Sequence, residues 1–532
     1  MSRRGIILAF CALLGVFVYF WGLGDYGFID PDEGRYAEIP REMIETGDFI
    51  TPRLNYVKYF EKPPLHYWLT AGAFMMLGDN EFAGRIVPVL SGLGCCVLAF
   101  MLALRITRSK YAAALSGLIL ASSVLWYGTS RLNLTDMTLT FLFTAAMTCY
   151  YFWNVNGKRS MLLAFYAMMA LAVLTKGLIG VVLTGGIALI HLIVTKQYRK
   201  ILPLFSPSAI ILFFVIVSPY FIAVCRANAD YFDFFFIREH FLRYTTTIHD
   251  RYEPFWFFAP IIIAGFIPWT GLMWEAVRAV FGKCKIIDRD SGIFLGLWAF
   301  IPFAFFSASG SKLITYILPC MPPLAVLSGA SLSVLEGKAL RRFIVITSLI
   351  LIPVALTGFI LPSVKDDPDF NAMIFPALCL SVMLLLFWVT SLFTAKNRYV
   401  PALLCVIAFA AMLAASGAFE VEGNLLSHRD GVKFIPPETD DVVVYQNLMQ
   451  GVGWYTKRRT ITADTLNELE FGAAQETNPR WFISGDDLRK LWNTDRKVVV
   501  LSRRKDTPFS EVLGSRPVRE WATSADIIIS NF

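Results

Sequence analysis

Two polar clusters lie near the start of a chain otherwise dominated by apolar residues. The first is D-P-D-E-G-R-Y-A-E at Asp30–Glu38 and the second is Y-F-E-K-P-P-L at Tyr59–Leu65. Asp32 and Glu33 are carboxylates suited to taking a proton or orienting a reacting group. Lys62 is a compact positive charge that suits a phosphate oxygen. Arg35, Tyr36, Tyr59 and Glu61 stand beside them. Part of the first cluster also reads as a helix start: Asp30 can cap, Pro31 suits the first helical position, and Glu33 can complete a capping box. Capping does not call for Arg35, Tyr36 and Glu38 behind it. A helix N-terminus favours the ionised carboxylate, so Asp32 serves as a base only where desolvation or a partner tunes it. Pro63 and Pro64 remove two N–H donors and force an extended chain. That would hold Glu61 and Lys62 at the surface, where Lys62 could otherwise simply snorkel to lipid headgroups.

Three further groups carry chemistry. Asp136 lies in R-L-N-L-T-D-M, with Arg131 as a nearby partner, and a helix cap shared with Thr135 accounts for it equally well. Arg238, Glu239, His240 and Arg243 lie in F-F-F-I-R-E-H-F-L-R-Y, where an arginine pair among aromatic rings suits an anionic headgroup. His240 with Glu61 offers an imidazole and a carboxylate to a divalent metal such as zinc. With 5 His in the chain and no H-x-x-x-H, a hydrogen-bonded loop histidine is the simpler reading. Lys312 and Tyr316 are four apart in S-G-S-K-L-I-T-Y-I-L-P, which predicts one shared helix face. A Lys/Tyr belt at the membrane interface explains either residue alone.

The elements that position these residues are membrane spans. The 532 residues are 56% hydrophobic and 17% charged, with a mean hydropathy of +0.56, where soluble domains hold about 25% charged residues. Apolar runs fall near 5–23, 84–106, 111–129, 134–153, 160–175, 176–196, 203–225, 256–276, 291–308, 313–334, 342–362, 372–395 and 399–418. That predicts roughly thirteen spans, the first an anchor rather than a cleaved signal. Alternate loops carry Arg105/Arg108/Lys110, Lys158/Arg159, Lys196/Arg199/Lys200, Lys283/Lys285, Lys338/Arg341/Arg342 and Lys396/Arg398. Those loops are cytoplasmic by the positive-inside rule, and the acidic loops face outward. The net charge of +7 follows from this asymmetry and gives no reason to expect a nucleic acid. The 9 Cys lie in spans or a cytoplasmic loop, with no C-x-x-C, and read as small buried hydrophobes.

The expected organisation is a transmembrane domain at 1–419 with outward loops at 24–83 and 226–254, then an outward domain at 420–532. In that last domain Val442–Tyr445, Trp481–Ser484, Val498–Leu501 and Ile527–Ser530 read as buried strands. Leu448–Lys457 and Asp486–Trp492 read as helices between them, which predicts a small α/β domain. Leu65–Leu77 is apolar but too short to span, and fits a helix lying in the interface.

Taken together, the acidic first-loop motif, E-K-P-P-L before an interfacial helix, T-D-M at the fourth span and K-L-x-T-Y-x-L-P resemble the polyprenyl-phosphate-dependent glycosyltransferases of the GT-C fold. Within them the sequence most resembles the bacterial enzymes that add 4-amino-4-deoxy-L-arabinose to lipid A; protein O-mannosyltransferases are more distant. The resemblance covers the whole chain. It implies an undecaprenyl-phosphate-linked sugar as donor, lipid A or another glycolipid or a protein as acceptor, and inversion at the sugar. It implies an inner-membrane enzyme active at the periplasmic face and connected with polymyxin resistance. Asp32 would stand near the reacting oxygens, and Lys62 with an arginine of the 238–243 loop would stabilise the leaving phosphate. Glu33 and Asp136 would join them, and Arg35, Tyr36, Tyr59, Glu61, Arg131, Lys312 and Tyr316 would shape the cavity. No cofactor is required; a zinc ion at Glu61/His240 would be structural. Two other classes compete. A transporter or flippase would place its charges near the bilayer midplane, whereas here they gather at one face. A sensor built on the C-terminal domain would leave the first-loop acids without work.

Overall fold

In the computed structural model of the chain, residues 3–242, 253–360, 400–503 and 518–532 are described, with isolated positions between 378 and 389 and at 513. Two compact units form. One comprises residues 1–21 and 87–416, the other residues 22–86 and 417–532. Residues 24–83, read from sequence as a loop of the transmembrane domain, thus cluster with the C-terminal sheet.

The first unit is helical. Among the described residues six helices are long and apolar enough to cross a membrane, or up to eight if each bent pair is one span. The stretches 5–23 and 176–196 hold the shorter apolar helices Gly5–Phe20 and Ile179–Val194, while helices Thr135–Asn156 and Gly337–Ile360 cover residues 135–153 and 342–360 of two further stretches. The expected span 372–395 lies almost wholly outside the described residues. Two runs expected to be single spans are bent helix pairs. The run 111–129 bends by 63° between Lys110–Ala121 and Val124–Ser130. There the Ser122 and Ser123 hydroxyls donate to the Leu118 and Ile119 carbonyls, a local alternative to the helical ladder. The run 256–276 bends by 111° between Phe258–Gly265 and Thr270–Val280, where Pro268 has no N–H to give. Helix Thr135–Asn156 packs antiparallel beside Arg159–Lys176. The short turn between them brings the start of one and the end of the other to the same level.

The second unit is built on a six-stranded sheet of order β5-β4-β3-β6-β8-β7. Its strands are β3 Asp441–Tyr445, β4 Ile461–Ala463, β5 Phe482–Ile483, β6 Val498–Arg503, β7 Arg519–Ala522 and β8 Asp526–Ser530. The first four of the order pair in parallel, and β8 and β7 close the sheet antiparallel. The V-V-V runs of β3 and β6 are apolar on both faces because both faces are covered. Val443 and Val500 pack with Leu488 and Trp492 on one side. Val442, Val444 and Val499 pack with Met449 and Val452 on the other. The strands and the helices Gln450–Thr456 and Gly485–Trp492 fall where the sequence placed them, and β4 and β7 are additional.

The chain segment before this sheet domain in sequence supplies helix Asp32–Thr46, a two-residue hairpin between β1 Arg53–Leu54 and β2 Val57–Lys58, and helix Leu65–Leu77. Asn55 and Tyr56 take positive φ of 52° and 63° at the hairpin turn, the geometry that matches strand twist in two-residue loops. The Asn55 amide donates to the Thr460 carbonyl at 2.9 Å and accepts from the Thr460 N–H at 3.0 Å. The hairpin is thereby fastened beside β4.

Candidate functional site

Helix Asp32–Thr46 starts differently from the expected capping box. Pro31 is its N-cap and no side chain caps it. Asp30 instead accepts the Gly451 N–H through both carboxylate oxygens, at 3.0 and 3.1 Å. The same carboxylate pairs with His428 Nε2 at 3.0 Å, and His428 Nδ1 meets Asp526 Oδ1 at 2.7 Å. Burial disfavours the His428 cation, but the two aspartates more than reverse this and push its pKa up to about 9. Gly34 is dictated by the close approach: a Cβ there would lie 1.8 Å from Asp30 Oδ1 and 2.7 Å from the Gly451 nitrogen.

Glu33 is also occupied. It accepts the Ile29 N–H at 3.0 Å and pairs with Arg85, whose Nε and Nη2 reach it at 2.8 and 2.7 Å. Arg85 further donates to the carbonyls of Leu23, Tyr26 and Gly27. These bonds fix the path of the chain into the helix.

Asp32 remains open, with 58% of its side chain exposed. One helical turn on, Arg35 is buried and gathers the cluster. Its Nη2 donates to Asp32 Oδ1 at 2.5 Å. Its Nη1 donates to the Tyr59 hydroxyl at 2.8 Å and to Glu468 Oε2 at 2.5 Å, with Glu61 Oε2 at 3.9 Å. Burial opposes the Arg35 charge, yet Tyr59, Glu468, Tyr36 and Asp32 hold its pKa well above the usual arginine value. Burial raises the Tyr59 hydroxyl well above its ordinary value, against the pull of Arg35. Lys62 Nζ lies 3.6 Å from Glu61 Oε2 and donates to the Glu61 carbonyl at 3.1 Å. Tyr36 is buried edge-on to His66 and beneath Arg35. Asp32, Arg35, Tyr36, Tyr59, Glu61 and Lys62 therefore form one neighbourhood, as the two motifs suggested.

Glu468 joins them from the C-terminal domain, and the sequence reading did not foresee it. Burial raises its pKa; Arg35 opposes this, while Glu61 and Asp32 add to it. Its only sequence signal is an acid in N-E-L-E, which is indistinguishable from a surface turn.

A second cluster lies in the helical unit. Asp136, in the first turn of helix Thr135–Asn156, accepts from Lys176 Nζ at 2.5 Å. Lys176 ends the neighbouring helix, and its ammonium lies 4.6 Å from the centre of the Tyr316 ring. Arg131, expected beside Asp136, is instead fully buried and donates to the carbonyls of Val18, Tyr19 and Trp21 at the end of the first helix. Lys312 is buried, and its Nζ donates to the Glu253 and Ser309 carbonyls, each at 2.7 Å. It precedes the 3-10 helix Ile314–Cys320, so Lys312 and Tyr316 do not share the expected α-helical face.

Arg238 is exposed on the π-helical segment Asp233–Leu242, over the Phe234 ring at 5.5 Å. Arg243 and the side chain of His240 lie outside the described residues. Among the described residues no group of three or more His, Cys, Asp or Glu could hold a metal. Glu61 faces Arg35 and Lys62, cations that compete with a metal for its carboxylate.

Residues 8–234 match the family described as dolichyl-phosphate-mannose-protein mannosyltransferase. The chain is 28% identical, over 93% of its length and 92% of the relative's, to an undecaprenyl phosphate-alpha-4-amino-4-deoxy-L-arabinose arabinosyl transferase of Pseudomonas fluorescens. An enzyme of the same name from Pseudomonas aeruginosa is 28% identical over 94% of each chain. The fold superposes on the crystal structure of ArnT from Cupriavidus metallidurans bound to undecaprenyl phosphate with a TM-score of 0.89. That pair is 26% identical, and the match covers 100% of this chain and 99% of the other.

Proposed function

We propose that this chain, a multi-pass membrane glycosyltransferase of the GT-C fold, moves 4-amino-4-deoxy-L-arabinose from undecaprenyl phosphate to a phosphate of lipid A. The reaction takes place at the periplasmic face of the inner membrane. The observation that carries this reading is the similarity, over the whole chain, to a transferase structure that holds the lipid carrier.

In this reaction an oxygen of the acceptor attacks the anomeric carbon. The bond from that carbon to the carrier phosphate breaks, and undecaprenyl phosphate leaves with the electron pair. An acceptor phosphate is already anionic, so the step needs no strong base. Asp32, exposed and fixed by Arg35, orients the sugar and the incoming oxygen. Its negative charge suits an amino-sugar. Lys62 offsets charge growing on the leaving phosphate, the kind of preorganised electrostatics that usually dominates catalysis. Asp136 with Lys176, and Tyr316 beside them, form one polar cluster in the helical unit and are assigned to substrate binding. Glu33, locked to Arg85, supports the loop.

The similarity of residues 8–234 to protein mannosyltransferases favours a protein acceptor as the second reading. Mass spectrometry of lipid A and of membrane proteins, from cells with and without the chain and supplied with the donor lipid, separates the two. An aminoarabinose mass added to lipid A phosphates only with the chain present supports the first. Unchanged lipid A with sugar on protein supports the second.

A further inference from the structure

We propose that Glu468 is a positioning residue of the transfer reaction: from the C-terminal domain it holds Arg35, and through Arg35 it sets the Asp32 carboxylate. This rests on the glycosyl-transfer reading above.

The Arg35 guanidinium is planar and rigid, so fixing one end fixes the other. Glu468 and Tyr59 occupy Nη1, and Asp32 occupies Nη2. The Nε is buried without a hydrogen-bond partner. The two acids therefore hold the fork at its two terminal nitrogens. Of them Asp32 is the more open, at 58% against 23% for Glu468. The position of Glu468 is itself enforced. It lies in the short turn Asn467–Leu469, and Leu469 is fully buried. The next turn presses on the strand that leads into Tyr59–Lys62. A Cβ on Gly472 would lie 2.5 Å from the Lys58 carbonyl, and the rings of Phe471 and Phe60 lie 5.6 Å apart.

Three carboxylates, from Asp32, Glu61 and Glu468, compete for Arg35. With Glu468 removed, Glu61 is the nearest second acid for Nη1. The fork then turns toward Glu61, which loosens Nη2 from Asp32 and draws Glu61 from Lys62. Both residues assigned to the reacting groups lose their setting. A small misplacement of this kind can cost about a hundredfold in rate.

The test is steady-state transfer by the full chain in vesicles, using undecaprenyl-phosphate-linked aminoarabinose and lipid A. Glu468→Ala is expected to lower kcat at least about tenfold, with KM for the lipid donor within about threefold. Glu468→Gln keeps an acceptor for Arg35 without the charge, and is expected to fall between Ala and wild type. Exposed Glu470→Ala serves as the neighbouring control and is expected to keep wild-type turnover. Because Gln conserves shape, it also keeps the test valid where Ala does not fold. An active wild type whose Glu468→Gln and Glu468→Ala variants keep its kcat overturns the inference alone. So does a loss confined to KM, or an equal loss in Glu470→Ala. A wild type that transfers nothing overturns the functional reading and the inference together.

Discussion

Arg85 grips Glu33 with two nitrogens, Nε at 2.8 Å and Nη2 at 2.7 Å, and both side chains are almost wholly buried. Removing one partner of such a pair leaves a buried charge uncompensated, at a cost of about 3–5 kcal/mol. Glu33→Ala and Arg85→Met are each expected to lower the thermal unfolding midpoint sharply in detergent. The double variant is expected to be less unstable than the sum of the two. Unchanged midpoints in the single variants would remove Glu33 from its structural role.

His428 lies between Asp30 and Asp526 and links the start of the first-loop helix to the last strand of the sheet. Its folded pKa of about 9 stands above the ordinary histidine value of 6.5. The stabilisation is therefore complete below pH 6.5 and fades as pH rises through 9. For a group this buried the full effect is on the order of 3 kcal/mol. Unfolding midpoints recorded from pH 6 to 9.5 are expected to fall along that window in wild type and to flatten in His428→Gln. Parallel curves would contradict the assignment.

Gly34→Ala would drive a methyl group into the Asp30 carboxylate and the Gly451 nitrogen. Asp30 is held by His428 and by the Gly451 N–H, so it cannot yield cheaply. A loss of about 2 kcal/mol or more is expected, read as a lower unfolding midpoint. Gly47→Ala is not a control, since Gly47 has a positive φ of 69°; Gly72→Ala, with open space around it, is.

Asp136 and Lys176 pair at 2.5 Å across two neighbouring helices. Asp136→Asn and Lys176→Met are each expected to lower kcat/KM at least about tenfold. The exchanged pair, Asp136→Lys with Lys176→Asp, is expected to recover protein yield without recovering transfer, because the charge facing substrate is reversed. Transfer restored by the exchange would reduce the pair to a structural contact.

Much of this was legible in the chain itself. Asp32, Arg35, Glu61 and Lys62 announced themselves because both motifs are local and stand out against apolar surroundings. The V-V-V runs of β3 and β6 declared a doubly covered sheet. What escaped was long-range. Glu468 meets Arg35 across 433 positions, and His428 meets Asp526 across 98; nothing in either short segment tells of the partner. Lys176 meets Asp136 across 40 positions, a link that no local pattern carries. Arg131 looked like that partner by proximity in sequence, but the carbonyls at a helix end took it. Strand β4 is three residues long, and β7 is an exposed edge strand, so neither carries an apolar pattern. The bends at Ser122–Ser123 and Pro268 were written in residue types, but apolar runs do not report direction.

The central claim is transfer of a sugar from undecaprenyl phosphate with Asp32 at the reacting groups. Purified chain in vesicles, given undecaprenyl-phosphate-linked radiolabelled aminoarabinose and lipid A, tests it most directly. Wild type is expected to move label to lipid A and to release undecaprenyl phosphate in equal amount. Asp32→Asn, folded to the same unfolding midpoint, is expected to move less than about a hundredth as much. Label that stays on the carrier with wild type, or moves equally with Asp32→Asn, would contradict the account.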